Sequence, residues 1–577
     1  MAFDRRSFLA SISCSLATAV AAQPQQRLFP LTTNNSCWTE VTAPFIVEDA
    51  ARGIHTEVVL TSDTFAGVRG HEDKTAATEY EVTLYDADGN AVGDKGIARR
   101  MTVPAMQTTV IAARDLLGTQ TPFWGGMKIR LRPQNQAVKH ASDLFSSAFI
   151  RWQTADSFDN VHANPDPLEW QNTTSFFYSM PFPSLAEYDC LFSLFNPYDQ
   201  PSAGEIVLHD PLGQRVQTLG YELKPHRSLL FHLNAGSFVS DPWTTSNAAS
   251  KLPTNGLLAV INKDGTAKSF GFLMIRKPAQ KRFSVEHPIH QGVFKPKTAP
   301  PPFDEHGQFK AKNVLYSPLI FRSKRLGGVT LESRIFLGTG LPLEEALWLY
   351  PFAVDTKGEV VWSAMTDDKL KAALPASQCE RKIIRLAAGQ SCALDFAKLS
   401  LPAGFSGGLA VAVTPDTTHT LLKVEVRVPE WGAHAFTHFR PGLRSARNYQ
   451  KPKERGGLAT DYIAAGARIE RGKFDEIIGV INIDDQGVAG NPTLEIFNVR
   501  GLLMRIKLGA LPPFACQHFL LSELVKKKLG AETLSLRLVD EQATLLMSTL
   551  HLDYTRRDLA LDHGSDRFST FLDYGCS

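Results

Sequence analysis

Apolar and polar residues alternate over short stretches of this chain, and one such pattern occurs four times. The copies span residues 82–92, 206–216, 349–361 and 494–503. Each copy has an apolar alternating run, a polar turn with a Gly and a second apolar run, which is the pattern of a β-hairpin. The copies begin about 120 to 150 residues apart, close to the usual size of a domain. The pattern therefore predicts four related domains.

Further short strands follow each predicted hairpin in the same order. A turn with Pro or Gly leads to a third apolar strand, a short Leu-rich segment and another strand, such as 127–131 in the first copy and 534–538 in the last. Alternating short strands without a long 3.6-residue periodicity predict antiparallel β-sandwiches. The predicted fold is all-β, with about four tandem immunoglobulin-like β-sandwich modules arranged as two pairs and only minor helix.

Proline-rich stretches predict where these modules begin and end. Residues 295–302 (Lys-Pro-Lys-Thr-Ala-Pro-Pro-Pro) have the composition of a stiff extended linker. The predicted organisation is a leader at 1–22, module 1 at 23–165, module 2 at 166–294, the linker at 295–311, module 3 at 312–430, and module 4 with a C-terminal tail at 431–577.

The first residues resemble a bacterial twin-arginine leader. Arg5-Arg6-Ser7-Phe8-Leu9 precedes a mildly apolar run that ends in the small-x-small sequence Ala19-Val20-Ala21. Asp4 stands where such leaders usually have Ser or Thr. The resemblance is confined to the leader and implies export of a folded protein to the periplasm or the cell surface of a bacterium. The alternative is a short buried N-terminal helix.

Composition and charge narrow the range of partners. The chain is 43% apolar and 21% charged, which is typical of a globular protein. Its 61 basic and 59 acidic residues give a formal net charge of +2, too little to attract nucleic acid or an anionic membrane over the whole surface. After the leader, no apolar run approaches the roughly 20 residues that span a bilayer, so no transmembrane segment is predicted in the mature chain.

Cysteine usage offers one candidate disulfide and leaves the connectivity of the other cysteines open. Six of the seven cysteines remain after the leader, and no Cys-x-x-Cys pair offers a zinc or redox site. Cys379 and Cys392 flank a segment with a strand–turn–strand pattern, so these two are the candidate pair. Isolated thiols are expected for Cys37, Cys190, Cys516 and Cys576.

Two short motifs imitate functional sites, and the repeat explains both as turns. Residues 404–408 (Gly-Phe-Ser-Gly-Gly) match the nucleophile elbow of serine hydrolases, but a strand follows where the elbow needs a helix. Residues 86–90 (Asp-Ala-Asp-Gly-Asn) resemble the start of a calcium loop, but Ala91 and Ile97 stand where that loop needs Gly and Glu. No catalytic or cofactor-binding residue is therefore assigned, and no cofactor is predicted.

Histidine recurs about ten residues after the last strand of each predicted module, at His162, His287, His434 and His563. Imidazoles that converge with carboxylates form metal sites. The candidate metal ligands are His287, His290, His434, His438, His563 and Asp562. The recurrence has a second interpretation, in which a duplicated histidine ties the exit loop of each module to its own sandwich.

Three functions remain open. The leading hypothesis is an exported, non-enzymatic multi-domain β-sandwich protein that binds a polysaccharide or a protein partner at the cell envelope. The second is an exported hydrolase with a histidine and carboxylate site, with or without a metal ion, at a module junction. The third is a structural subunit of an envelope complex. Convergence of the histidines is the observation that bears on the first two, and nucleic acid is not an expected partner.

Overall fold

The structure, a computed structural model, describes residues 39–62, 77–92, 99–118, 122–133, 148–165, 177–245, 254–287, 289–291, 302–305, 308–311, 313–339, 346–414, 420–441, 458–484, 486–525, 529 and 532–566. It is 61% strand and 7% helix, and its sheets are antiparallel, which confirms the predicted all-β sandwich fold. Within these residues, eight sheets follow one another along the chain in four groups of two. The predicted leader, residues 1–22, lies outside the described residues.

The first two groups are formed by residues before the proline-rich stretch. Strands of the first group are β1 (Thr39–Glu48), β2 (His55–Ser62), β3 (Thr78–Asp86), β4 (Ala91–Val92), β5 (Arg99–Val103), β6 (Gln107–Ala112), β7 (Phe123–Pro133), β8 (Ala148–Gln153), β9 (Phe158–His162) and β10 (Asn164–Pro165). Their sheet orders are β10-β1-β7-β3-β4, with β5 on β3, and β6-β2-β8-β9. Strands of the second are β11 (Phe177–Phe182), β12 (Asp189–Phe195), β13 (Ser202–His209), β14 (Arg215–Leu223), β15 (Ser228–His232), β16 (Ser237–Val239), β17 (Gly256–Asn262), β18 (Phe270–Lys277), β19 (Arg282–Glu286) and β20 (Ile289–Gln291), in orders β14-β13-β17-β11-β20 and β16-β15-β12-β18-β19.

The third and fourth groups are formed by residues after the proline-rich stretch. Strands of the third are β21 (Asn313–Arg322), β22 (Lys324–Leu326), β23 (Val329–Thr339), β24 (Leu347–Val354), β25 (Val360–Ser363), β26 (Cys379–Glu380), β27 (Ile383–Leu386), β28 (Ser391–Asp395), β29 (Phe405–Thr414), β30 (Thr420–Val428), β31 (Ala433–His438) and β32 (Arg440–Pro441). Their orders are β26-β27-β24-β29-β21-β32, with β25 on β24, and β22-β23-β30-β31, with β28 on β23. Strands of the fourth are β33 (Thr460–Ala467), β34 (Phe474–Asn482), β35 (Thr493–Asn498), β36 (Gly501–Lys507), β37 (Cys516–Leu520), β38 (Leu534–Asp540), β39 (Leu545–Asp553), β40 (Asp558–Asp562) and β41 (Ser565–Asp566), in orders β36-β35-β38-β33-β41 and β37-β34-β39-β40.

Helices in the described part of the chain are short. The α-helices are α1 (Ala113–Leu117), α2 (Leu370–Ala373) and α3 (Leu521–Leu524). The 3-10 turns are Ala50–Arg52, Pro278–Gln280, Ala364–Thr366, Ala376–Gln378 and Pro429–Trp431. No helix among these residues is long and apolar enough to cross a membrane.

The four predicted hairpins are present as β3–β4, β13–β14, β24–β25 and β35–β36. In the first, the Asp86 carboxylate accepts the backbone N–H groups of Asp88 at 3.0 Å and Asn90 at 2.9 Å. Asp210 and Asp355 cap the second and third turns in the same way. The apparent calcium loop is therefore a hairpin turn, held by a side-chain cap that Asp and Asn commonly provide.

Contacts between the groups of sheets close into a ring. The first strand of each group packs against two strands of the next: β1 against β12 and β18, β11 against β23 and β30, and β21 against β34 and β39. Strand β33 of the fourth group returns to pack against β2 and β8 of the first. Because the same surface is used at every step, the contacts are head-to-tail, and the rotation closes after four steps.

The repeated hairpins lie in these interfaces. Three backbone N–H groups of the following group donate to a hairpin carbonyl: Ser228 to Ala87 at 3.1 Å, Ser391 to Pro211 at 3.2 Å and Cys516 to Asp355 at 3.0 Å. At the fourth interface, a Cβ added at Gly501 would lie 3.8 Å from the Met106 carbonyl oxygen. The repeat therefore marks the element with which each group of sheets contacts its neighbour.

Three of the four junctions are apolar, and the fourth is mainly polar. The first core includes Leu191 and Phe272 of the second group, the second core includes Phe336 and Phe436 of the third, and the third and fourth groups share one core. Between the fourth and first groups, the buried apolar cluster among the described residues consists of Val59, Phe149 and Ala465. Polar contacts accompany it: Arg151 donates to the Gly466 carbonyl at 2.6 Å, Asn160 to the Ala465 carbonyl at 3.0 Å, and the Thr108 and Ser535 hydroxyls lie 2.6 Å apart. We call this junction the closing joint.

Two observations concern the predicted boundaries. Strands β31 and β32 lie after residue 430 but pair with β30 and β21 of the third group. In the predicted linker, Phe303 pairs with Phe309, whose ring packs 6.1 Å from that of Tyr350. The described end of this stretch therefore contacts the third core.

The predicted disulfide is absent, because the described cysteines Cys190, Cys379, Cys392 and Cys516 are all free thiols. Cys379 lies in β26 of one sheet, whereas Cys392 lies in β28, which pairs with β23 in the other sheet. The strand–turn–strand segment thus crosses between sheets, so the two cysteines do not face each other. Cys37 and Cys576 lie outside the described residues.

The serine motif is part of a strand. Ser406 lies in β29, paired with Phe321 of β21, so it has no helix N-terminus behind it. Gly408 permits close packing, because a Cβ added there would lie 2.5 Å from Ile481 of the fourth group. The glycines therefore serve contact between strands and between groups.

Candidate metal centre at the ring axis

The second-to-last strand of each group lies at the centre of the ring. Strand β9 contacts β19, β19 contacts β31, β31 contacts β40, and β40 contacts β9. We call these four the central strands. They are almost completely buried, since each is covered by its own sandwich and by both neighbours. Side chains at their ends therefore meet near one axis.

Hairpin register places histidines at equivalent ends of three central strands. The hairpins begin with the pairs Lys277–Arg282, Val428–Ala433 and Asp553–Asp558. Five residues after the second member of each pair stand His287, His438 and His563. In the first group the equivalent position is Ala163, and His162 is one residue earlier.

These four histidines converge. The Nε2 atoms of His162 and His563 are 3.0 Å apart, and those of His287 and His563 are 3.5 Å apart. One ligand atom from each of His162, His287 and His563 lies within 4.8 Å of the other two. The ring of His438 is centred 3.9 Å from that of His563 and 4.6 Å from that of His287. Residues more than 400 positions apart in the chain thus form one cluster.

The backbone orients two of the rings. Nδ1 of His162 lies 2.9 Å from the Ala163 carbonyl oxygen, and Nδ1 of His563 contacts the Gly564 carbonyl oxygen. Since a carbonyl only accepts hydrogen bonds, each Nδ1 carries the proton. In the neutral imidazole, Nε2 then has the lone pair, and these lone pairs face the centre of the cluster.

A buried ion pair lies beside the histidines. Lys423 of β30 lies 2.7 Å from the Glu286 carboxylate and donates to the His287 carbonyl at 2.8 Å. The same carboxylate accepts the His287 backbone N–H at 3.1 Å and lies 3.2 Å from Nδ1 of His438. Glu286, His287 and His438 form a second group with metal-ligand spacing. The ion pair therefore joins the second and third groups at the axis.

Burial controls the protonation of this site. It lowers the pKa of His287 well below its usual value, and neighbouring His162, His438 and Lys423 act in the same direction. Burial also raises the pKa of Glu286 and lowers that of Lys423, while their mutual attraction opposes both shifts. His287 is therefore neutral near pH 7, which is the form that binds metal ions.

The predicted candidates divide between the cluster and other places. His287, His438 and His563 are in it. His434 is not: its Nε2 lies 3.3 Å from the Ile275 carbonyl, and burial lowers its pKa to about 3. Asp562 accepts the Gly564 N–H at 3.2 Å, a local turn contact. His290 lies in β20 opposite Tyr178, and its side chain lies outside the described residues.

Two members of the site were not among the predicted ligands. His162 was among the recurrent histidines, but unlike His287 and His563 it has no adjacent acidic residue to mark it as a ligand. Lys423 carried a signal, since it is a charged residue in the otherwise apolar start of β30, Leu421-Leu-Lys-Val424. A charge at such a position indicates a buried partner.

Comparisons with known proteins do not assign a family. No protein-family model matches the chain, and no curated protein matches it. One similar solved structure is that of a beta-glucuronidase from Parabacteroides merdae, with 12% identity over 50% of this chain and 30% of that chain. Its TM-score of 0.11 supports no argument about fold or function.

Proposed function

We propose that this protein is a non-enzymatic binding protein of the bacterial cell envelope, whose ring of sandwiches presents the repeated hairpins to a protein partner. The observation that carries this proposal is the position of exposed apolar side chains. Six of the eight exposed large hydrophobic residues in the described part of the chain lie in the repeated hairpin segments: Leu212, Val216, Val360, Val361, Val499 and Leu502. They belong to three of the four hairpins, and exposed apolar surface gathered on one kind of element is typical of protein interaction sites.

Docking of the hairpins supports the same function. Three of the four turns are hydrogen-bonded to the next group of sheets, as in the bond from the Ser391 N–H to the Pro211 carbonyl, beside which Gln390 donates to the Leu212 carbonyl at 3.2 Å. A loop that is already ordered loses little conformational entropy when a partner binds. The ring therefore serves as a rigid support for several similar binding edges.

Side-chain chemistry favours a protein over a polysaccharide as the partner. The exposed hairpin residues are aliphatic, whereas sugar faces are usually bound by flat aromatic side chains. Among the tryptophans that the structure describes, none is exposed. Aliphatic contacts of this kind suit the apolar centre of a protein interface.

The test is co-purification from the native envelope with a matched pair of variants. The first carries Val216→Glu, Val361→Glu and Leu502→Glu on three hairpins. The control carries three added charges at exposed alanines outside the hairpins, Ala372→Glu, Ala376→Glu and Ala403→Glu.

We expect quantitative mass spectrometry to show a protein that co-purifies with the wild-type chain and the control and is reduced at least about tenfold with the hairpin variant. Equal recovery with both variants would refute the proposal. Retention of isolated envelope polysaccharide by all three proteins, without such a partner, would also overturn it in favour of sugar binding.

The histidine cluster favours one alternative, a metal-dependent hydrolase at a junction. Such an enzyme needs an open metal coordination position and access for substrate. His162, the most exposed of the four imidazoles, is only 7% exposed. Burial of this degree suits a structural ion. Zinc-dependent ester hydrolysis by the wild type that is lost in His563→Gln would establish the alternative.

A further inference from the structure

We infer that His162, His287 and His563 bind one divalent first-row transition-metal ion through their Nε2 atoms, and that this ion joins the first, second and fourth groups of sheets at the ring axis. The inference does not depend on the proposed partner binding, since it concerns a different part of the molecule. It rests on the geometry of the three nitrogens, the hydrogen bonds that orient them and their burial.

The spacing of the nitrogens fits a single ion. Zinc binds imidazole nitrogen at about 2.0–2.1 Å in a tetrahedral arrangement, which places neighbouring ligand nitrogens about 3.3 Å apart. The observed Nε2 separations of 3.0 Å and 3.5 Å lie on either side of that value. A shared proton would explain two nitrogens that approach each other. It does not explain why a third, from His287, is directed to the same point.

The hydrogen bonds outside the cluster are those expected of metal-bound histidines. A ligating imidazole usually donates its other N–H to a carbonyl or a carboxylate, which fixes the tautomer and the ring orientation. His162 and His563 do this through Nδ1 to the carbonyls of Ala163 and Gly564. The backbone therefore orients the Nε2 atoms of these two rings towards the centre of the cluster.

The surroundings limit both the type of ion and its role. Imidazole ligands suit Zn²⁺, Cu²⁺, Ni²⁺ and Fe²⁺ rather than Mg²⁺ or Ca²⁺. Glu286 supplies a carboxylate beside His287 and His438, but Lys423 already pairs with it at 2.7 Å, so the imidazoles are the groups that would bind the ion. All these groups are buried, which is typical of a closed structural site. The ion would therefore hold three sandwiches together.

The experiment measures metal content and metal spectra of the purified full-length mature protein. After dialysis against Zn²⁺ and removal of free ion, we expect about one Zn²⁺ per chain. Co²⁺ in its place should give the visible absorption of a nitrogen-ligated tetrahedral ion. His162→Gln and His563→Gln should retain at least about tenfold less metal. The matched control is His434→Gln, another buried histidine at a junction but outside the cluster, which should bind the ion as the wild type does.

Three results would overturn the inference. The first is wild-type protein that holds no stoichiometric Zn²⁺ and gives no Co²⁺ spectrum. The second is a loss of metal in the control as large as in His563→Gln. The third applies even if the cluster variants fail to fold. It is an X-ray absorption spectrum of the zinc-loaded wild type that shows no imidazole nitrogen at about 2.0–2.1 Å from the zinc. Partner recovery in the hairpin experiment is independent of each of these results.

Discussion

A single methyl group should loosen the junction between the third and fourth groups of sheets. Gly358, in the turn between β24 and β25, has φ +78°, and a Cβ added there would lie 2.2 Å from the Pro513 carbonyl oxygen. Gly404 has φ +75°, and a Cβ added there meets nothing within 4 Å. Gly358→Ala and Gly404→Ala therefore share the backbone strain and differ in the contact with the next sandwich.

The structure allows the two costs to be separated. Left-handed backbone costs a non-glycine residue about 1–2 kcal/mol, and both variants carry that penalty. Forcing a methyl group into packed backbone adds about 1–3 kcal/mol, and only Gly358→Ala carries this term. If the added strain is relieved by opening the junction, the open state becomes about 5- to 150-fold more populated than in Gly404→Ala.

Cys516 reports that opening. Its backbone N–H donates to the Asp355 carbonyl of the same hairpin, its side chain is buried, and burial raises the pKa of its thiol well above the usual value. Alkylation under native conditions, quantified at the Cys516 peptide by mass spectrometry, should be faster in Gly358→Ala by the factor given above, because labelling follows the population of the open form. Equal rates in the two variants would show that the hairpin does not hold this junction.

Three further outcomes are expected. Replacing Arg5 and Arg6 with Lys should leave the chain in the cytoplasm, as cell fractionation would detect. Burial raises the pKa of Asp558 to about 7, above its unfolded value of about 3.9, so the free energy of unfolding should fall as pH rises from about 4 to 7. Asp558→Asn should remove up to about 4 kcal/mol of that decline in denaturant titrations. Arg151→Met should destabilise the closing joint by about 1 to 3 kcal/mol, because it removes the donor to the buried Gly466 carbonyl, and this should be seen as faster amide hydrogen exchange around Gly466.

Each of these has a control of the same residue type. Arg27→Lys lies beyond the leader and should not alter export. Asp88→Asn changes an exposed turn residue and should keep the pH dependence of the wild type. Arg500→Met removes an exposed arginine paired with Glu532 and should cost less than about 1 kcal/mol. A control that behaves like its partner variant would contradict the corresponding explanation.

The hairpins and the all-β fold could be predicted because their signals are local. Alternation sets the faces of a strand, and Asp86, Asp210 and Asp355 cap their turns through contacts only two and four residues away. The ring has no such signal. It depends on head-to-tail contacts between separate sandwiches, such as β33 on β2, which impose no periodicity on either strand.

The candidate site likewise combines features that the sequence predicts with features that depend on contacts between sandwiches. His434 and His438 are four residues apart in β31 and so lie on one face of the strand. Sequence spacing does not distinguish them, but the surroundings do, because His438 reaches the axis and His434 faces the Ile275 carbonyl and Tyr188. The predicted pairing of Cys379 with Cys392 is wrong for a related reason. The chain crosses from one sheet to the other between these two cysteines, and the sequence gives no sign of this crossing.

The polar character of the closing joint bears on how the chain is made. Synthesis proceeds from the N-terminus, so the face of the first sandwich that bears Arg151 and Asn160 must wait for the last one before it is covered. During that interval an apolar face would attract other nascent chains. A face of hydrogen-bonding groups can remain hydrated until Ala465 and Gly466 replace the water. The most polar junction of the ring is thus the one that forms last.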